Sequence, residues 1–191
     1  VTAMTRALPA QAGDAVIIEQ SWREPERFSA IFDRYYSEIH GYASRRLGGG
    51  LADDVAAETF LIAFDKRAGY DVSRADARPW LYGITSNLIA RRRRAEERQY
   101  RALAKAGAET PEEDHADRVA GEVDAVARRP ALAQALAKIA GGDRDVLLLV
   151  AWAELTSEEA GRALGIPAGT ARSRLHRARK KIQDALGGDR S

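Results

Sequence analysis

The sequence predicts an all-α protein built as two small helical domains joined by a flexible acidic linker, the second domain carrying a helix-turn-helix. Three observations lead there. Apolar residues recur at helical spacing, and no run alternates apolar with polar as a half-buried strand would. Bulky side chains are concentrated in the first part of the chain, where all four Phe and most of the Tyr and Trp lie at or before Tyr82. Charge is unevenly placed although the net value is only +2: residues 96–127 carry a net −5 and residues 166–191 a net +5. A chain of 191 residues accommodates one ordinary domain or two small ones.

The elements follow in order. Residues 1–24 show little periodicity and read as a lead-in, although Val16–Ile18 could pack. From Pro25 onward Phe28, Ile31, Phe32, Tyr35, Tyr36, Ile39, Tyr42, Ala43 and Leu47 mark a long amphipathic helix that Gly48-Gly49-Gly50 ends. Asp53 and Asp54 then offer an N-cap and an acidic first turn to a second helix. Its stripe is Val55, Ala56, Thr59, Phe60, Ala63 and Phe64, and it stops near Gly69. A polar loop, Tyr70 to Arg78, leads to a third helix opened by Pro79, with Leu81, Ile84 and Leu88 inward and Arg91–Arg94 at its end. This closes a first domain over residues 25–95.

Residues 96–130 are rich in Ala and acid, are broken by Gly107, Pro111, Gly121 and Pro130, and lack a sustained apolar face, so they read as a linker. The second domain, residues 131–187, starts on Leu132, Leu136 and Ile139. After the break at Gly141-Gly142, Asp143 can cap a helix bearing the apolar run Val146 to Ala153.

The sharpest local signal lies between Leu155 and Ile182. Thr156 and Glu159 have the spacing of a capping box. Gly161, small and mid-helix, is followed four residues later by Gly165, then Ile166-Pro167, and a new helix from about Ala168. That is helix-turn-helix spacing: the small residue lets the second helix cross closely, and the turn glycine accepts a positive φ. On a helical wheel Ala171, Leu175, Ala178 and Ile182 face inward, whereas Ser173, His176, Arg177 and Lys180 face outward. Arg172 and Arg179 flank the outward face on one edge, Arg174 and Lys181 on the other. A basic helix exposed behind a tight turn suits the major groove, with its N-terminal half on base edges and flanking cations on phosphates. The same pattern would also fit a solvated terminal helix.

Other function classes find little support. There is no Cys, so no disulfide framework, thiol nucleophile or Cys-ligated metal centre is expected. His40, His115 and His176 lie in separate segments, and there is no Gly-rich phosphate loop with Gly-Lys-Ser/Thr. No catalytic residue, metal site, cofactor or small-molecule substrate is therefore expected; the reading is binding, not enzymology. The longest apolar run has eight residues, against ~20 for a membrane span. No apolar stretch follows Arg6 to make a secretory signal, so a soluble cytoplasmic chain is expected.

Gly165-Ile166-Pro167-Ala168-Gly169-Thr170-Ala171-Arg172-Ser173-Arg174-Leu175-His176-Arg177-Ala178-Arg179 resembles the recognition segment of bacterial sigma factors of the extracytoplasmic-function (group IV) class. Ala52-Asp53-Asp54-Val55-Ala56-Ala57-Glu58-Thr59-Phe60 is similar to that family's polymerase-binding helix. Ala77-Arg78-Pro79-Trp80-Leu81-Tyr82-Gly83-Ile84-Thr85-Ser86-Asn87-Leu88 is similar to its promoter-melting helix. The three occur in the family's order, and the resemblance covers about Phe28 to Leu186.

It implies a chain that binds core RNA polymerase, directs it to promoter DNA and helps melt the −10 element, and it points to an anti-sigma factor as a further partner. Carried over residue by residue, it implies −35 contacts through Arg172, Ser173, His176 and Arg177, with Thr170, Arg174, Arg179 and Lys180 on phosphates. Arg177→Ala is then expected chiefly to weaken upstream recognition. For the −10 element the resemblance points to Arg74, Asp76 and Arg78 in the loop, and to Asn87 and Arg91, four residues apart on one helix face. Trp80 is either a wedge between bases or a packing residue. Asp53, Asp54 and Glu58 are implied in polymerase docking, with helix capping the competing role, chiefly for Asp53; Phe60 and Phe64 read as core. The alternative is a stand-alone helix-turn-helix regulator binding an operator as a dimer.

Overall fold

The computed structural model describes residues 12–47, 49–105, 135–136 and 138–187, and its regular elements are helical throughout. The α-helices are α1 (Asp14–Gln20), α2 (Ser29–Leu47), α3 (Gly49–Lys66), α4 (Arg78–Lys105), α5 (Gly141–Trp152), α6 (Ser157–Ala163) and α7 (Ala168–Gly187), with 3-10 turns at Pro25–Phe28 and Arg67–Gly69. Residues 106–130 of the expected linker lie outside the described residues.

The lead-in expected over residues 1–24 contains a docked helix. Ile17 and Ile18 of α1 are fully buried, and Asp14 at its start is only 2% exposed. The end of α1 is clasped from the far side of the unit: Trp22 Nε1 donates to the Arg67 carbonyl at 3.0 Å, and Arg67 Nε donates to the Ser21 carbonyl at 3.2 Å.

The glycine triplet ends α2 as expected, at Leu47, but the next helix starts earlier than expected, since α3 begins at Gly49. Glycine costs a helix roughly 1 kcal/mol relative to alanine. Here Ala52, Val55, Ala56 and Thr59 are completely buried, and packing of this stripe carries the helix back over Gly49 and Gly50. Asp53 therefore stands inside a helix and caps nothing. The first unit's core is Ile31, Tyr35, Ile39 and Tyr42 of α2, Val55 and Phe60 of α3, and Leu81, Tyr82, Leu88 and Ile89 of α4. Tyr42 meets Tyr82 edge-on at 5.2 Å. Phe64, expected in the core, is 37% exposed, with the Phe28 ring edge-on at 5.5 Å and the Arg67 guanidinium over it at 3.9 Å. Helix α4 runs on to Lys105, past the boundary expected at residue 95, through a stretch rich in good helix formers.

The second unit is smaller and aliphatic: Val146, Leu148 and Leu149 of α5 close over Ala160, Ala171 and Leu175. It packs directly on the first. At the crossing of α4 with α6, a Cβ placed on Gly83 would lie 2.5 Å from the Ala163 carbonyl oxygen, so only glycine fits. Arg46, 8% exposed, reaches from α2 to Asp145 of α5 at 2.7 Å. Arg78 Nη2 donates to the Ala153 carbonyl at 2.9 Å, and Arg45 lies over the Trp152 ring at 5.8 Å.

Candidate nucleic-acid and polymerase interfaces

The helix-turn-helix is built by end chemistry. Thr156 Oγ1 accepts from the Glu159 amide at 3.2 Å, while the Glu159 carboxylate accepts the Thr156 amide at 2.8 Å, completing the capping box. The Thr156 amide and hydroxyl together hold the Glu159 carboxyl below the usual carboxylate range. At the other end of α6, Gly165 has φ +64, the Gly165 amide donates to the Arg162 carbonyl at 3.2 Å, and the Ile166 amide donates to the Gly161 carbonyl at 2.9 Å. This is a Schellman closure, and it aims α7 across α6. The crossing passes over Gly161, where an added Cβ would meet the Ile166 carbonyl oxygen at 3.0 Å and the Ala171 Cβ at 3.3 Å.

On α7, Ala171, Leu175 and Ala178 are buried. Arg172, Ser173, His176, Arg177, Arg179 and Lys180 are exposed, and Thr170 and Arg174 are half-buried. The expected segregation of faces is observed. Two members of the outward face are already engaged: Ser173 Oγ donates to the Gly169 carbonyl at 3.0 Å, and Arg177 holds Asp143, in the first turn of α5, by two bonds of 2.9 and 2.8 Å. Arg177 in turn draws the Asp143 carboxyl below its ordinary range. The guanidinium fork cannot face a guanine while it grips this carboxylate. Arg174 lies against Gly142, where a Cβ would come within 2.7 Å of its guanidinium.

The loop before α4 is ordered by its own residues. Asp71 accepts from the Ser73 amide at 3.1 Å and pairs with Arg74 at 2.9 Å, and Tyr70 Oη donates to the Arg74 carbonyl at 2.8 Å. Burial, reinforced by nearby carboxylates, pushes the Tyr70 phenol up to about 12 and keeps it a donor. Asp76 accepts the Arg78 amide at 2.8 Å. Arg78, expected among the −10 contacts, pairs with Glu38 at 3.1 Å as well as bonding the Ala153 carbonyl. Trp80 is half-buried against Tyr70, with ring centroids 5.0 Å apart. Asn87 and Arg91 are exposed. Trp80 and Asn87 border a cleft that the loop side chains Asp71, Ser73, Arg74 and Asp76 line on one side and Glu159 and Arg162 of α6 line on the other.

The arginine run ending the basic part of α4 is split in two. Arg92 pairs with Glu58 at 3.3 Å and lies 3.7 Å from Asp54, and Arg93 donates to the Arg46 carbonyl at 2.8 Å. Arg91 and Arg94 face solvent. On α3, Asp53 meets His40 Nε2 at 2.9 Å. Asp54 and Glu58 share one face with Leu61, which at 69% is the most exposed large apolar residue described. Sequence reading passed over Leu61, although its position three residues after Glu58 puts it on that acidic face. Among the described residues no group of His, Cys, Asp or Glu could hold a metal, and no helix is long and apolar enough to cross a membrane.

The family model for Sigma-70 region 2 matches residues 31–99, and that for Sigma-70, region 4 matches residues 129–182. The chain is 30% identical over 170 residues to the ECF RNA polymerase sigma factor SigW of Bacillus subtilis, covering 85% of this chain and 90% of the relative. It is 29% identical over 158 residues to the ECF RNA polymerase sigma factor SigL of Mycobacterium tuberculosis, covering 82% and 87%. Its fold is similar to that of a sigma factor, RpoE, solved in complex with the anti-sigma factor NepR from Bartonella quintana, with TM-score 0.63, 21% identity, and coverage of 85% of this chain and 98% of that one.

Proposed function

The chain belongs to the extracytoplasmic-function RNA polymerase sigma factors, and we propose that the surfaces described above divide its work between the polymerase and two promoter elements. As a member it binds core RNA polymerase, directs it to promoters and helps open the −10 element; it is an initiation factor, and no bond-making step is assigned to it. The observation that carries the residue assignment is the two-faced α7, buried through Ala171, Leu175 and Ala178 and exposing its cations behind a closed turn.

Arg172, Ser173 and His176 read bases of the −35 element, and Arg177 joins them by exchanging Asp143 for DNA. Thr170, Arg174, Arg179 and Lys180 hold phosphates, so DNA affinity falls steeply with salt. Asn87 and Arg91, with Trp80 at the edge of the cleft, take the −10 strand once it is open, and Arg74 and Asp76 supply loop edge groups. Arg78 contributes by bracing that loop. Asp54, Glu58 and Leu61 form the polymerase-docking face, with Asp53 at its margin. The protein works in the cytoplasm, where polymerase and DNA are, and an anti-sigma factor holds it inactive by covering one of these faces.

Run-off transcription with core polymerase tests the reading. The chain is expected to confer promoter-specific initiation, and Arg172→Ala to lower it roughly tenfold, the effect of one lost bidentate base contact. A chain that neither associates with core polymerase nor initiates, yet binds a symmetric operator unaided, would be a stand-alone regulator instead.

A further inference from the structure

Asp14 has no place in the interfaces above and lies outside the span matched by the region 2 family model, yet it is the most buried carboxylate described, 2% exposed. Three donors from two elements converge on it. Arg34 of α2 donates to Oδ1. Tyr35 of α2 donates to Oδ2 at 2.6 Å, and the backbone amide of Ala77 donates to the same oxygen at 2.8 Å. Burial and the bond to Asp14 hold the Tyr35 phenol well above its ordinary value, so it stays a donor. Ala77 is itself fully buried and is the last residue of the loop before α4; its carbonyl accepts the Leu81 amide at 3.0 Å, starting that helix.

The opposite end of the same loop is tied as well. Tyr70 is buried against Trp80, and its hydroxyl spans the loop to the Arg74 carbonyl. Between these anchors residues 71–76 are exposed, and apart from the Tyr70 bond to Arg74 their hydrogen bonds run to one another or to the start of α4. The height at which the loop and the first turn of α4 stand beside the cleft is thus set from α1, by one carboxylate reaching across 63 positions of sequence.

We propose that Asp14 is a positioning residue for promoter opening: by fixing the Ala77 amide it presents the loop and Trp80 to the strand that becomes single. It touches no DNA. The inference rests on the reading of the chain as a promoter-opening factor, and the two are tested separately.

The probe is a promoter duplex selected in the run-off assay, labelled with 2-aminopurine in its downstream element, beside the same duplex carrying a preformed bubble there. Wild-type chain with core polymerase must open the duplex; failure at that stage defeats the functional reading and not the role of Asp14. Asp14→Ala is expected to slow opening of the closed duplex about tenfold or more, the loss of a hydrogen bond to a charged acceptor. Core affinity should stay within about twofold, and the preformed bubble should restore initiation, because a misplaced loop matters only while strands must be parted. Asp14→Asn, whose carbonyl oxygen can still accept from Ala77 while its amide nitrogen replaces Oδ1 and forfeits the bond from Arg34, should open markedly faster than Asp14→Ala. Tyr35→Phe, which removes a bond to the same oxygen and leaves Ala77 held, should do likewise. Asp14→Ser, too short to reach Ala77, repeats the test should the alanine variant not fold. The proposal is overturned if opening is unaffected, if the bubble restores nothing, if core binding falls in parallel, or if Tyr35→Phe is as impaired as Asp14→Ala.

Discussion

The two units reach stability by different means. The first, α1–α4, buries large rings and long aliphatic chains, and ties distant segments by hydrogen bonds into its interior, such as those at Asp14 and Arg67. The second, α5–α7, buries Val, Leu and Ala. Its middle helix has only 7 residues, too few to stand on propensity, and so depends on a capping box and a Schellman closure, while the Asp143–Arg177 pair ties α5 to α7. A thick core tolerates irregular ends; a thin one needs each end finished. The second unit also leans on the first through Gly83 and Arg46.

The contrast can be tested at decreasing amplitude. Leu149→Ala, at a fully buried site of the thin core, should cost ~2–5 kcal/mol. Hydrogen exchange should then show α5–α7 losing protection while α2–α4 retain it; uniform loss would mean that the two units unfold as one. Gly83→Ala sets a methyl against the backbone of Ala163 and should cost about 1–3 kcal/mol at the contact between units. Small-angle scattering should show a larger radius of gyration with each unit's helicity kept. Thr156→Ala removes the cap and should lower stability by about 1 kcal/mol in denaturant titrations.

Acid attacks the same unit. Asp143 and Glu159 have folded pKa values depressed below their unfolded ones, so each adds stability above the ordinary carboxylate pKa and loses it as pH falls through the lower folded value. Below about pH 4 the second unit should loosen first, read by exchange or by circular dichroism at graded pH. The smallest effect has the opposite sign. Glu154 adopts φ 54 between α5 and α6, a left-handed position, and Glu154→Gly should raise the melting temperature slightly, a gain of less than ~1 kcal/mol.

What was legible in the sequence was local. Thr156, Glu159, Gly161 and Gly165 announce a cap, a crossing and a turn within ten residues, because such motifs close on themselves. The faces of α7 followed from periodicity alone. Contacts across long stretches left no such trace: Arg46 and Asp145 are 99 positions apart, and nothing in either neighbourhood marks the pairing. The arginine run on α4 looked uniform, but helical rotation turns Arg92 and Arg93 toward α3 and α2 and leaves Arg91 and Arg94 outward. Asp53 has the look of a cap only if the second helix starts after all three glycines, whereas burial of Ala52 and Val55 carries α3 back to Gly49. Asp14 was lost among residues without periodicity, though an Asp followed by isoleucines three and four positions later is itself the outline of a helix start.

On the proposed reading of α7, the grip of Arg177 on Asp143 would make DNA binding a swap and not a simple gain. A duplex that offered that arginine only a weak acceptor would have to outbid a carboxylate already in place, so indifferent sequences would be turned away by a rival carried within the reader itself.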